Sequence, residues 1–312
     1  MTSAPAPIKA KIRIGDLVFS RSAVFAGSMI LVTLAAVAIF LIVQSLPAVV
    51  ATTEDASILK TNFWDYVGPL VFGTVWAAAL ALLVALPISI GIALFISHYA
   101  PRRLASVLGY IVDLLAAVPS VVFGLWGIGV FAPALVSAYA WLNENLGWIP
   151  LFSGTPSATG RTILTAALVL AVMVLPIMTA ICREVFLQTP VLHEEAALAL
   201  GATRWEMIRT AVLPFGRSGI ISASVLGLGR ALGETMAVAM VLSASPVITF
   251  QLLTSVNPNT IAANIALSFP EAYGLNVNVL IATGLILFVV TFAVNAFARW
   301  IVSRRKEFSG AN

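Results

Sequence analysis

Arg230 and Glu234 stand four residues apart in "GLGRALGET" (227–235), inside an apolar stretch at 218–243. On a continuous helix that spacing puts both side chains on one face, close enough to pair. Each charge costs about 2.5–3.5 kcal/mol at mid-membrane on insertion scales. One use for the two residues is a buried ion pair that fixes helix register. The other is a polar point on an anion pathway. The arginine fork donates two parallel hydrogen bonds to an oxyanion and keeps its charge at working pH. In that reading Glu234 holds the fork and partly neutralises it, so that the anion is released again. Gly227, Gly229 and Gly233 surround the pair, and the Gly-x-x-x-Gly spacing of 229 and 233 allows close helix approach. Asp113 is a third charge in an apolar run, six residues before Pro119. It either lines a cavity beside a proline-kinked third span or meets water at the membrane interface.

Other chemistry is sparsely supplied. The single cysteine, Cys182, forms no intrachain disulfide and reads as a packed small residue. His98 and His193 lack metal-ligand spacing with other ligands. No Gly-x-x-x-x-Gly-Lys-[Ser/Thr] loop occurs, so ATP is not bound through a P-loop of this chain. The expectation is a chain without catalytic centre, metal or cofactor.

The elements that must carry these residues are set by hydropathy. Of 312 residues, 60% are hydrophobic and 10% charged, and the mean hydropathy is +1.03. Soluble domains carry about 25% charged residues, and a helix needs about 20 apolar residues to cross a bilayer. Six such runs occur, at roughly 24–46, 70–97, 107–137, 162–182, 218–243 and 278–302. They are continuous rather than alternating, which excludes a barrel. The expected fold is all-α and polytopic, with six transmembrane helices. The first run is too long for a secretion signal and reads as an uncleaved span. The third is too long for one span, and Pro119 and Pro133 are expected to break it. "LPI" at 86–88 and 175–177 is expected to interrupt spans two and four, and hints at a repeat.

Charge orients the bundle. Lys9, Lys11, Arg13 and Arg21, Arg102 and Arg103, Arg183, Arg204, Arg209 and Arg217, and Arg299, Arg304, Arg305 and Lys306 all fall on one side. Only Lys60 and Arg161 fall on the other, so both termini are expected in the cytoplasm. The basic balance thus reflects topology, not a nucleic-acid partner. The expected organisation is an N-terminal arm (1–23), a first span (24–46), a five-span core (70–302) and a tail (303–312). Trp126, Trp141 and Trp148 suit an interfacial belt. Segments 138–161 and 244–277, rich in Asn, Pro, Gly and Ser, are expected to form an outer docking surface.

The long inner connection, 183–217, has its own punctuation. Thr189 is a plausible N-cap with Pro190 at the first helical position. Gly201 suits a left-handed helix end, and Thr203 with Glu206 has capping-box spacing. Two short helices joined by a glycine elbow are expected, the second stopping near Pro214. By composition this is either a docking element or a plain membrane-proximal linker.

"EAALALGATRWEMIRTAVLP" (195–214) resembles the EAA loop of ABC-importer permeases. Glu195, Ala196, Ala197, Gly201, Leu213 and Pro214 match its spacing, and Ala211 replaces the usual isoleucine. "RALGETMAVAMV" (230–241) and "LLAAVPSVVFGLWG" (114–127) resemble the PstC-type permease subunits of bacterial phosphate ABC importers. The resemblance implies that Glu194, Glu195 and the rest of this loop couple to an ATPase. It also implies a PstA-like second permease subunit, a PstB-like ATPase dimer, an extracytoplasmic PstS-like binding protein, and inorganic phosphate as cargo. The rivals are the same machine for sulfate or molybdate, an ion-coupled secondary transporter using Asp113, Arg230 and Glu234, and a membrane enzyme. The docking elbow argues against secondary transport, and the lack of a clustered nucleophile or acid–base pair argues against an enzyme.

Overall fold

The computed structural model describes residues 14–51 and 56–303, with side chains through Trp300. The basic residues at 9, 11, 13, 304, 305 and 306 lie outside the described residues. The chain is helical almost throughout. α1 (Ile14–Val49) is followed by α2 (Phe63–Leu94), which ends in a π-helical turn, Phe95–Tyr99. α3 (Arg102–Ala116), α4 (Ser120–Trp126) and α5 (Ala132–Leu146) come next, with a π-helical turn at Gly127–Phe131 joining the last two. α6 is Ile163–Leu187. α7 (Val191–Ala199) and α8 (Arg204–Met207) form the long loop after α6. α9 (Leu213–Leu232), α10 (Met236–Val241), α11 (Ile261–Ser268) and α12 (Leu275–Ser303) complete the chain.

Six helical segments are long and apolar enough to cross a membrane: 14–49, 63–99, 120–146, 163–187, 204–232 and 275–300. α2 and α6 form the centre of the bundle. Ala77, Ala78, Ala81 and Ala85 of α2 and Ala166, Leu170, Val174 and Met178 of α6 belong to one buried cluster. Small side chains let the two backbones approach, which is how helices pack where lipid supplies no hydrophobic drive. α9 packs against α6 through Gly216, Gly219 and Gly227, and also touches α2. A methyl group on Gly227 would stand 2.6 Å from Met178 Sδ. α1 packs along α12 and otherwise exposes its apolar side chains.

The prolines do not all act as their positions suggest. Pro87 and Pro176 sit inside uninterrupted helices, so the "LPI" segments break neither span two nor span four. The Ser89 hydroxyl donates to the Leu86 carbonyl at 2.9 Å, adding a bond within the proline turn. Pro119 does break the third run: α3 ends at Ala116, and the Val118 N–H bonds the Leu115 carbonyl at 3.2 Å. Pro133 does not, because the π-helical turn before it keeps 120–146 continuous. A third π-helical turn, Ile208–Val212, carries α8 straight into α9, so the second loop helix does not stop near Pro214. A wider turn makes room for a proline ring that a regular turn would exclude.

The fifth run has a break that its hydropathy does not announce. α9 ends at Leu232 and α10 starts at Met236. α10 lies against α4: a methyl on Gly124 would meet Ala237 Cα at 3.0 Å, and one on Gly127 would meet Val241 at 2.7 Å. That register sets the two short helices parallel. The breaks at 117–119 and 233–235 therefore lie side by side.

At the far end from α7, the loops 147–162 and 243–260 fuse into one cap. β1 (Ala244–Ser245) and β2 (Asn257–Pro258) pair in parallel, and Pro156 bridges Thr254. Asn257 is fully buried at the centre. Its Oδ1 accepts the Ile163 N–H at 2.9 Å, and its Nδ2 donates to the Thr254 and Ser243 carbonyls at 3.0 and 3.1 Å.

Candidate anion pathway and coupling surface

Arg230 occupies the last turn of α9, and Glu234 lies in the break beyond it. The helix therefore does not carry both on one face. Among the described residues no carboxylate pairs with Arg230, so the expected ion pair is absent. Glu234 is buried and does something else: its Oε1 accepts the Ala237 N–H at 3.1 Å. That bond satisfies one of the open donors at the start of α10, as an N-cap does. The carboxylate is thus spent on holding the restart of the helix, and the half-buried Arg230 guanidinium is left without a protein acceptor.

The glycines near Arg230 divide by face. Gly216, Gly219 and Gly227 pack against Phe186, Val185 and Met178 of α6. Gly229 would meet nothing within 4 Å if it carried a methyl, and Gly233 would meet only its own helix. The Gly229–Gly233 spacing is therefore unused within this chain. Ser218, Ser222, Leu226 and Gly233 are exposed along the same stripe. Arg230 borders it.

Asp113 does not belong with this pair. It lies on α3, outside the third span, and its side chain is 55% exposed. Its Oδ2 lies 3.6 Å from a guanidinium nitrogen of Arg183, at the C-terminal end of α6. That guanidinium covers Gly109, where any side chain would displace it. Asp113 does line a cavity, of about 600 Å³, together with Arg102, Ser106, Tyr110 and Arg183. The carboxylate is therefore paired rather than isolated.

The long loop after α6 is a two-helix elbow. α7 starts one residue later than its prolines suggest: Pro190 flanks it and Thr189 makes no cap. Gly201 has φ +86°, the left-handed conformation that ends a helix without Cβ strain. Thr203 and Glu206 form the full capping box. The Thr203 N–H and hydroxyl donate to the Glu206 carboxylate at 2.7 and 2.8 Å.

The motif residues of this loop point two ways. Glu194 and Ala197 turn inward and are half-buried, and Leu213 packs with Met207, Ile208 and Val212. Glu195 and Ala196 face outward with Val191, Leu192 and Leu200, the last 90% exposed. Trp205 adds a further exposed ring. Exposed apolar patches rimmed by polar residues mark contact sites for a protein or a membrane. α8 and α9 form one helical rod from Arg204 to Leu232. Its foot is the elbow and its head carries Arg230, 26 residues on, about 39 Å along the axis.

Sequence reading missed the break at 233–235, the Asp113–Arg183 pair and a contact of His98 with Glu194. Only "GET" after "RAL" carried a local signal for the first. The other two join residues 70 and 96 positions apart and leave no local trace.

Residues 85–307 match the family described as "binding-protein-dependent transport system inner membrane component". The chain is 48% identical over 302 residues to the phosphate transport system permease protein PstC 2 of Mycobacterium tuberculosis, covering 93% of this chain and 92% of that one. It is 46% identical to PstC of Mycobacterium leprae over 86% and 87% of the two chains, and 37% identical to PstC of Haemophilus influenzae over 95% of both. Among solved structures it resembles a bacterial ABC transporter involved in import of the acidic polysaccharide alginate. The TM-score there is 0.55 at 18% identity, over 76% of this chain and 79% of that one. That likeness speaks for the fold alone, and the sequence match over most of the chain decides the rest: the protein belongs to the binding-protein-dependent transport system inner membrane component family.

Proposed function

We propose that this chain is the permease subunit of an ABC importer that carries inorganic phosphate into the cytoplasm. The observation that carries the reading is the rod from Arg204 to Leu232, which links an exposed docking elbow to an unpaired arginine at a helix break. Arg230 presents a planar fork for two oxygens of an oxyanion. Its lack of a carboxylate partner leaves that capacity free, and one arginine binds weakly enough to let a conduit empty. The choice of phosphate rests on the names of the relatives.

The chain itself has no catalytic role in this reading. ATP is hydrolysed in a separate PstB-like dimer, whose groove receives the outward face of α7. A PstA-like subunit covers the stripe of Ser218, Ser222, Gly229 and Gly233 and closes the pathway around Arg230. A PstS-like binding protein delivers phosphate to the cap built on Asn257, and both termini face the cytoplasm. Reconstitution with those partners in proteoliposomes tests the reading. ATP-driven uptake of labelled phosphate is expected, and Arg230→Lys is expected to reduce it at least about tenfold while assembly persists. Uptake of sulfate or molybdate in place of phosphate would reassign the cargo.

A further inference from the structure

The elbow touches the bundle through a second contact besides its junction with α8. His98 lies in the π-helical turn that ends span two. Its Nε2 is 3.4 Å from Glu194 Oε1, and its side chain is 8% exposed against 23% for Glu194. Among the described residues this is the only ion pair or side-chain hydrogen bond that joins α7 to another element. No side chain of α7 is fully buried; its apolar contact with the bundle is the half-buried Ala197, packed against the cluster of Met207, Ile208 and Val212.

Two polar groups hold the ring from either side. His98 Nδ1 lies 2.7 Å from Ser97 Oγ, which is itself 2.8 Å from the Ala93 carbonyl. With the Ser97 hydroxyl donating to Nδ1, the ring carries its proton on Nε2 and donates it to the Glu194 carboxylate. The charged groups on the neighbouring elements are Arg102, Arg103 and Asp113 of α3 and Arg183 and Glu184 of α6; Asp113 is paired with Arg183, and the exposed Glu184 accepts from Gln188 Nε2 at 3.4 Å.

We propose that His98 is a positioning residue for energy coupling, clasping α7 to the end of span two through Glu194. The elbow then moves two spans at once: α9 through the rigid α8 junction, and α2 through this clasp. Because α2 packs along α6 at the centre of the bundle, displacement of α7 reaches the core by a path that does not run through α9. Of the two adjacent glutamates, Glu195 meets the ATPase and Glu194 holds the chain's own span. The inference rests on the reading of this loop as an ATPase-docking element.

The test uses the complete reconstituted importer and reads phosphate taken up per ATP hydrolysed. His98→Ala and Glu194→Ala are each expected to lower that ratio roughly threefold, the scale of one net hydrogen bond. The double variant is expected to be no worse than either single one, because both remove the same contact. His98→Lys, which keeps an N–H donor facing Glu194, is expected to restore the ratio to within about twofold of wild type. A ratio unchanged in His98→Ala would overturn the clasp, as would full multiplication of the two single losses in the double variant. Gly201→Val, measured alongside, separates this inference from the one beneath it. If that variant remains fully coupled, the elbow does not dock and both readings fail. If it uncouples while His98→Ala does not, only the clasp is lost.

Discussion

At the scale of single residues, the two charges in "GLGRALGET" have separate tasks. Glu234 caps α10 and Arg230 is left free. Glu234→Gln keeps an oxygen that accepts the Ala237 N–H, so the helix restart survives and only the charge goes. Glu234→Ala removes the cap and is expected to cost about 0.5–2 kcal/mol of stability, as lost N-caps do. Melting of the purified subunit in detergent checks this: equal loss in the Gln and Ala variants would deny the capping role. An exchange, Arg230→Glu with Glu234→Arg, is expected to abolish uptake. It puts an arginine where α10 needs an acceptor and moves the free cation past the break. Asp113→Asn is expected to leave phosphate uptake within about twofold of wild type, because it touches only a half-exposed ion pair. A loss like that of Arg230→Lys would return Asp113 to the pathway.

At the scale of elements, α9 is a helix with two small-residue faces of different purpose. Gly227 lies under Met178, so Gly227→Leu forces α9 off α6 and is expected to lower membrane-inserted protein sharply. Gly229 faces open space within this chain, so Gly229→Ala is expected to leave the isolated subunit as stable as wild type. Its effect should appear on pairing with the second permease subunit. Co-purification of the two subunits, set against melting of the single one, tells the cases apart. Gly201 is different again: no atom lies near a Cβ there, and its φ of +86° alone makes a β-branched residue strained. Gly201→Val therefore distorts the elbow without disturbing any packed side chain.

At the scale of the whole molecule, the protein has a small-residue bundle between two differently built ends. One end is the two-helix elbow with its exposed apolar side chains. The other end is a cap tied by Asn257, which serves three loop segments from one buried amide. Asn257→Ala leaves the Ile163 N–H and two carbonyls unpaired, and each buried unpaired group costs about 1–3 kcal/mol. The expected result is a clearly lower melting temperature and faster hydrogen exchange at 243–257 and 160–163. Unchanged exchange in those loops would show that the cap is held by other contacts.

Hydropathy fixes the six crossings because a bilayer of set thickness demands about 20 apolar residues per helix, whatever their neighbours. The elbow was equally legible, since the left-handed glycine and the Thr203–Glu206 box are local features that act within a few residues. Proline was the misleading signal. Whether Pro87, Pro133, Pro176 or Pro214 breaks a helix depends on whether packing or a π-helical turn accommodates the ring, and only Pro119 ended one. The partners of charge were the least legible. Spacing of four residues implied an Arg230–Glu234 pair only while the helix was taken as unbroken. The contacts of Asp113 with Arg183 and of His98 with Glu194 arise where distant segments meet at the elbow end of the bundle. Local sequence sets what the backbone does within a turn or two and which segments enter the membrane. The choice of partner for a charge is made by helix packing, because it depends on distances across the bundle that no spacing along the chain encodes.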